Sequence, residues 1–250
     1  MHNIRLVIQY EGTRYQGWQR QAASDNTIQG KLEQLLSRMC GEPIELMGSG
    51  RTDAGVHALG QVANFHTKSE MTPEEMRTYI NSYLPEDIAV IEVAEAAPRF
   101  HSRLNAVGKC YRYLVQNGPV RDVFRRRYEL EISEPLNVEA MRQAAQFMCG
   151  EHDFKAFTSA KKGKKQTVRR IDRIEITENA DGQPGLISFT FQGNGFLYHM
   201  VRIMMGTLLE VGSKERSPEN VKEVLRAGER ARAGRLAPAK GLTLVKVFYD

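Results

Sequence analysis

Arg51 and Asp53 are the residues with the clearest chemical potential, and they lie in residues 48–57, GSGRTDAGVH. Because they are two residues apart, an extended chain directs both side chains to one face, where the guanidinium can keep the carboxylate ionised. An ionised carboxylate held in this way can act as a nucleophile. Gly48, Gly50 and Gly55 allow the turns and close approaches that a large ligand requires. The alternative is a surface loop in which Asp53 caps a helix and Arg51 is its ion-pair partner.

Alternating and helical patterns around this segment predict the elements that position it. In the first half we expect strands over residues 4–10, 44–47, 61–66 and 88–94, and helices over residues 27–39 and 72–83. In the second half we expect strands over residues 109–116, 167–177, 185–192 and 242–249, and helices over residues 137–148, 197–211 and 218–227.

The order of elements is βαββαβ and occurs twice. We therefore predict an α+β fold with two ferredoxin-like halves, residues 1–105 carrying the catalytic loop and residues 106–250 completing a cleft. Their sheets are expected to join into one extended, mainly antiparallel sheet with helices on one face and a central cleft. Residues 98–108 are charged and aromatic rather than rich in Gly and Ser, so we expect rigid packing of the halves.

Arg202 is an unusual residue in the predicted helix over residues 197–211, because it lies beside a broad apolar stripe. That stripe consists of Leu197, Met200, Val201, Met204, Met205, Leu208 and Leu209. A buried guanidinium needs a partner, and the carboxylate of Asp53 is the candidate across the predicted cleft. Alternatively, Arg202 reaches water along its methylene stem.

Tyr111 and Tyr113 alternate with Cys110 and Arg112 along a predicted strand. Aromatic side chains on one face of a sheet either pack in the core or stack on nucleic-acid bases, and packing is the commoner use.

Charge patterning indicates a polyanionic partner. The 250-residue chain has a formal net charge of +5, and its basic residues are clustered. One cluster contains Arg121 and Arg125 to Arg127, and the other contains Lys161, Lys162, Lys164, Lys165, Arg169, Arg170 and Arg173. Such clusters bind nucleic acids, or else they form a solvated charged face.

The cysteine and histidine residues argue against a disulfide-stabilised protein and against a metal-dependent enzyme. Cys40, Cys110 and Cys149 fit neither a disulfide framework nor a zinc site, and the histidines have no HxH or HExxH spacing. The N-terminal residues lack a signal-peptide core, and the most apolar stretch is interrupted by charged residues. We therefore expect a soluble, cytoplasmic protein without a catalytic metal or a membrane partner.

Six blocks along the chain resemble the tRNA pseudouridine synthase A family in the same order. They are YEGTRYQGWQRQ, GSGRTDAGVHALGQVANF, RFHSRLNAVGKCYRYLV, GEHDFKAF, GNGFLYHMVRIMMGTLLEVG and GLTLVKVFY, which together span nearly the whole sequence. The resemblance implies isomerisation of uridine to pseudouridine at positions 38, 39 and 40 of the tRNA anticodon stem and loop, without a cofactor. It also implies a homodimer.

The resemblance further implies roles for individual residues. Asp53 would be the nucleophile, and Tyr111 would stack on the uracil and assist removal of the C5 proton. Arg202 would hold Asp53 ionised, and Arg51 would help to extrude the target base and occupy its place. The residues expected to contact tRNA are Arg99, Phe100, His101, Ser102, Arg103, Leu104, Lys161, Lys162, Lys164 and Lys165.

Two other classes of function remain as alternatives. A non-catalytic RNA-binding module would use Tyr111 and the basic segments but would have no need for Asp53. A phosphate-binding loop of a nucleotide-dependent enzyme would instead require a GxxxxGK[ST] or Rossmann glycine pattern, and the sequence has neither.

Overall fold

The computed structural model describes residues 1–160 and 166–250. These residues form an α+β structure with ten strands and five α-helices, which confirms the predicted class. The strands are β1 (His2–Tyr10), β2 (Met47–Gly48), β3 (His57–Thr67), β4 (Ile88–Glu95), β5 (Ala106–Asn117), β6 (Leu130–Ile132), β7 (Gly150–Asp153), β8 (Val168–Glu178), β9 (Leu186–Gly193) and β10 (Leu242–Tyr249). The helices are α1 (Ile28–Cys40), α2 (Pro73–Tyr83), α3 (Val138–Gln146), α4 (Met200–Gly212) and α5 (Asn220–Ala227).

The described chain divides into two compact units, Met1–Val107 with Thr243–Asp250, and Gly108–Leu242. We expected the last strand to belong to the second half. Instead, β10 lies with the first unit, where Thr243 pairs with His57 and Leu244 with Ala58 in parallel register on β3.

The sheet of the first unit has the strand order expected of a ferredoxin-like βαββαβ unit. The strand β1 pairs antiparallel with β3 on one side and with β4 on the other, and β2 pairs antiparallel with β3. Leu6 lies opposite Ala63 in one pairing and opposite Val93 in the other. Because side chains alternate along each strand, Ile4, Leu6 and Ile8 of β1 all enter the core.

The sheet of the second unit runs in the order β5-β9-β8-β7 with antiparallel neighbours, and β6 pairs in parallel with β5. The short strands β6 and β7 were not predicted. Conversely, the expected strand over residues 44–47 is reduced to Met47–Gly48. Strands of this length have too few residues to show a periodic pattern.

Local capping residues explain the helix boundaries in the first unit. Thr27 accepts a hydrogen bond from the Gly30 N–H and so begins α1, and Gly41 ends it in the left-handed conformation. At α2, Thr72 and Glu75 form a reciprocal capping box, with Pro73 in the first turn. Within residues 1–160 and 166–250, the helices are all too short or too polar to cross a lipid bilayer.

Candidate active site

Asp53 lies in the irregular segment between β2 and β3, immediately before a tight turn. The Val56 N–H donates to the Asp53 carbonyl oxygen at 3.2 Å, and Gly55 occupies the left-handed region with φ of 78°. The side chain of Asp53 is half-buried. A glycine is needed in this turn because other residues are strained at that backbone angle.

Thr52 fixes the centre of this loop. Its side chain is buried, and its hydroxyl forms a hydrogen bond of 2.8 Å with the hydroxyl of Tyr10. Burial raises the pKa of the Tyr10 phenol well above its usual range, so this group remains protonated. The Trp18 N–H also donates to the Thr52 carbonyl oxygen at 3.1 Å. Because Thr52 points inward, its neighbours Arg51 and Asp53 are directed away from the core.

Two glycines in the segment after β1 allow the main chain to lie directly against the loop. A β-carbon on Gly17 would lie 2.7 Å from the Thr52 carbonyl oxygen, and one on Gly12 would lie 2.0 Å from that of Val56. The Gly12 N–H donates to Nδ1 of the buried His57 at 3.0 Å. Main chain therefore supports the loop at residues 52, 56 and 57. This support was not predicted, and its signal in the sequence is the glycine pair in YEGTRYQGW.

Gln61 and Ser49 hold the N-terminal side of the loop. The Ser49 hydroxyl donates to Oε1 of Gln61 at 2.7 Å, and Nε2 of Gln61 donates to the Gly50 carbonyl oxygen at 3.0 Å. Both side chains are buried, and so these bonds are protected from water. Both ends of the loop are therefore anchored.

Arg51 contacts a different residue from the one that its spacing predicted. Its side chain is exposed, and Nε donates to Oε1 of Gln19 at 2.9 Å. The guanidinium is therefore held by Gln19. Alternation along the chain predicts that Arg51 and Asp53 share one face, but it cannot show that Gln19 offers Arg51 an acceptor.

Tyr111 and Tyr113 lie on the buried face of β5. Tyr113 is fully buried, and its hydroxyl donates to the Pro238 carbonyl oxygen at 2.8 Å. Tyr111 retains 8% exposure, and its ring meets the ring of Phe196 edge-on, with centroids 5.1 Å apart. Core packing therefore accounts for Tyr113, and Phe196 fixes the plane of the Tyr111 ring.

Arg202 lies in the first turn of α4, next to the segment that precedes β10. Its Nε donates to the Ala237 carbonyl oxygen at 2.8 Å, and the Ala237 N–H donates to the Arg202 carbonyl oxygen at 3.1 Å. The side chain is half-buried.

The predicted stripe on α4 is buried at Met200, Val201, Met204, Met205 and Leu208, and Ile203 and Val211 are buried as well. The helix is thus apolar around most of its circumference.

The loop over residues 99–104 alternates between exposed charged residues and an anchored centre. Ser102 is fully buried, its N–H donates to Oδ1 of Asn64 at 2.9 Å, and its carbonyl oxygen accepts from the Tyr249 hydroxyl at 2.6 Å. Phe100 packs against Tyr249, and its carbonyl oxygen accepts from Asn3. Ser102 therefore serves to hold the loop.

The other predicted RNA-contacting residues divide between this loop and a second segment. Arg99, Arg103 and Leu104 are exposed, and His101 is half-buried. Lys161, Lys162, Lys164 and Lys165 lie outside the described residues.

Comparison with known proteins identifies a class of RNA-modifying isomerases. A family model described as tRNA pseudouridine synthase matches residues 6–104 and 144–250. The chain belongs to this family, and it is an isomerase that converts uridine to pseudouridine in tRNA.

Relatives named tRNA pseudouridine synthase A match the whole chain. One from Bacillus sp. (strain KSM-64) is 50% identical over 249 residues, covering 100% of both sequences. Another from Clostridium tetani, named tRNA pseudouridine synthase A 1, is 46% identical over the same length and coverage. Among solved structures, a chain in "Crystal Structure of a Cbf5-Nop10-Gar1 Complex" gives a TM-score of 0.38 with 11% identity, covering 96% of this chain and 48% of that chain.

Proposed function

We propose that the protein isomerises uridine at positions 38, 39 and 40 in the anticodon stem and loop of tRNA, with Asp53 as the nucleophile. The central support is the construction of the Asp53 loop, in which a half-buried carboxylate is carried by a backbone anchored on both sides. A carboxylate held in one place loses little entropy on reaching its target. The positions are supported by the likeness of six sequence blocks to the tRNA pseudouridine synthase A family and by the names of the relatives.

The reaction breaks the bond between C1′ and N1 and forms a bond between C1′ and C5. Asp53 attacks C1′, adds to C6 of the uracil, or takes a proton from C2′, and each route needs an ionised carboxylate close to an everted nucleotide. Eversion is required because these atoms are inaccessible in a stacked stem, and it costs a few kcal/mol that RNA binding must offset. No metal or organic cofactor enters any of these routes.

Three further residues complete the proposed site. Arg51 is exposed and is held through its Nε by Gln19, so it is suited to replacing the everted base in the stem. Tyr111 would stack on the uracil and assist removal of the C5 proton, with its ring plane fixed by Phe196. Arg202 would hold Asp53 ionised, and its position on α4 is maintained by two hydrogen bonds with Ala237.

The basic segments would bind the phosphates of the tRNA. The first contact would be the loop anchored at Ser102, which carries Arg99, Phe100, His101, Arg103 and Leu104. The second contact would be formed by Lys161, Lys162, Lys164 and Lys165. Such contacts orient the RNA and carry little sequence information. We also propose a homodimer, as the family likeness implies, and a cytoplasmic location shared with the tRNA substrate.

Release of tritium from tRNA labelled at C5 of uridine tests the proposed function. We expect release by the wild-type protein, none by Asp53→Asn, and release at the wild-type rate by Asp25→Asn, which neutralises an exposed carboxylate of the same unit. Sequencing of the product should locate pseudouridine at positions 38 to 40. Unchanged release by Asp53→Asn would remove this residue from the chemistry. Binding without release by the wild type would instead favour an RNA-binding module.

A further inference from the structure

Tyr198 is an exposed aromatic residue of the second unit. It lies in the turn between β9 and α4, and 56% of the residue is accessible to solvent. Met200, two residues later, is only 1% exposed. Burying an aromatic ring is strongly favourable, so a ring that remains exposed at this position is available to a ligand.

The ring of Tyr198 is held in place by its neighbours. The ring of His199 stacks on it with centroids 3.7 Å apart and an interplanar angle of 27°. The carbonyl oxygen of Tyr198 accepts hydrogen bonds from the Thr158 hydroxyl at 3.0 Å and from the Ser159 N–H at 3.3 Å. His199 therefore lies against one face of the Tyr198 ring. The result is a preorganised aromatic surface.

The same turn joins this surface to Tyr111 and to a basic residue. Phe196, two residues before Tyr198, packs against Tyr111, the proposed uracil-stacking residue. A β-carbon on Gly195 would lie 3.7 Å from Nε of Arg169, so this guanidinium lies directly beside the turn. Arg169 is held there because its Nη1 donates to the Val168 carbonyl oxygen at 2.6 Å. The turn therefore carries an exposed aromatic residue and lies against a cation, and these are the two kinds of group that bind single-stranded nucleic acids.

We propose that Tyr198 is a substrate-binding residue that stacks on a tRNA base next to the target uridine. This inference rests on the proposed function and deepens it. The proposed target positions are three adjacent nucleotides, so the base next to the target changes from one position to the next. Stacking tolerates such changes because every base has a π-face, whereas a hydrogen-bonding contact would select one base.

Substitution of Tyr198 tests this proposal through binding measured apart from turnover. In an Asp53→Asn background, Tyr198→Ala should raise the Kd for an anticodon stem-loop RNA about five- to 150-fold, the range expected for loss of one base–aromatic stack. Tyr198→Phe and Tyr198→Trp should keep the parental Kd. The dependence of Kd on salt should not change, because no phosphate contact is lost. In the active protein, Tyr198→Ala should raise KM and leave kcat close to wild type.

Tyr83→Ala is the matched control, since Tyr83 is 59% exposed and lies on α2 of the first unit. It should leave Kd and KM unchanged. If Tyr198→Ala unfolds, Tyr198→Leu keeps an apolar side chain without the π-face and should show the same increase in Kd. An unchanged Kd for Tyr198→Ala or Tyr198→Leu, or an equal increase for Tyr198→Phe, would overturn the stacking role. Absence of tritium release by the wild type would instead overturn the proposed function.

Discussion

Thr52 and Ser102 occupy equivalent places in two irregular loops of the first unit. Each is a small hydroxyl residue that is buried at the centre of its loop. The residues on either side are polar or charged and point outward, Arg51 and Asp53 in one loop and His101 and Arg103 in the other. A buried centre with outward neighbours uses the alternation of an extended chain to present two side chains from one anchor.

The two loops differ in the parts of the chain that support them. The Asp53 loop is supported by main chain, because Gly12 and Gly17 bring the segment after β1 to its carbonyl oxygens. The loop over residues 99–104 is held by the side chains of Asn64 and Tyr249 and by the Met47 carbonyl oxygen, without such a close approach of main chain, and its arginines are exposed. This close main-chain contact leaves the first loop little room to move. The first loop is therefore suited to positioning a reactive carboxylate, and the second to presenting charge to a polyanion.

The largest effect is expected from Gly17→Ala, which would break the main-chain support of the first loop. The added β-carbon would lie 2.7 Å from the Thr52 carbonyl oxygen, and the φ of 88° is already unfavourable for alanine. We expect a loss of about 2–4 kcal/mol in the free energy of unfolding, and a fall in activity on the order of a hundredfold. Urea unfolding and single-turnover kinetics measure the two effects.

Gly41→Ala is the control for the backbone angle alone. Gly41 has a φ of 67° with nothing within 4 Å of an added β-carbon. This variant should lose about 1 kcal/mol of stability and keep full activity. Equal losses of activity in the two variants would show that the close approach of Gly17 to the Thr52 carbonyl oxygen is irrelevant to activity.

Removal of the Thr52 hydroxyl and removal of the Ser102 hydroxyl should change different kinetic constants. Thr52→Val loses the hydrogen bond to Tyr10 and should lower kcat about tenfold, whereas Thr52→Ser should retain activity. Ser102→Ala loses the hydrogen bond to the Met47 carbonyl oxygen and should raise KM without lowering kcat. Each change is expected to cost about 1–2 kcal/mol of stability. The proposed difference in function between the two loops would be wrong if Ser102→Ala lowered kcat as much as Thr52→Val does.

Charge reversal in the second loop should weaken tRNA binding in a salt-dependent way. Arg99→Glu with Arg103→Glu should raise Kd on the order of tenfold, and should reduce the slope of log K against log salt by about 0.7 to 0.9 for each lost phosphate contact. Arg77→Glu, on the exposed surface of α2, is the control and should leave the slope unchanged. A wild-type slope in the double variant would exclude this loop from the RNA contact.

The smallest effect is expected at the capping box of α2, outside both loops. The backbone N–H and hydroxyl of Thr72 lower the pKa of Glu75 below its usual value of 4.5. Because the folded pKa is the lower one, the stabilisation is present above the unfolded pKa and is lost as pH falls through the folded pKa. Glu75→Gln should therefore be less stable than wild type at neutral pH and equally stable in strong acid, with unchanged tRNA binding. A stability difference that persisted in acid would contradict this assignment.

Local sequence patterns were sufficient to predict the α+β class, most strand positions and the beginnings of α1 and α2. These features depend on alternation, helical spacing and caps such as Thr27 and Thr72, all of which act within a few residues.

The supports of the candidate site were not predictable, because they join residues that are distant in the sequence. Thr52 bonds to Tyr10, Arg51 to Gln19, and Arg202 to Ala237. Alternation assigns a residue to a face of the chain but does not identify its partner. The burial of Ser102 inside a basic segment likewise depends on Asn64 and Tyr249.

The central claim is that one loop performs chemistry and the other binds RNA. Its most direct test measures two quantities for two variants on one tRNA: the single-turnover rate at saturating enzyme and the Kd. Asp53→Asn should lose the rate and keep a Kd close to wild type. Arg99→Glu with Arg103→Glu should keep the saturated rate and weaken Kd. A measurable rate in Asp53→Asn, or a lost saturated rate with normal binding in the double variant, would contradict this account.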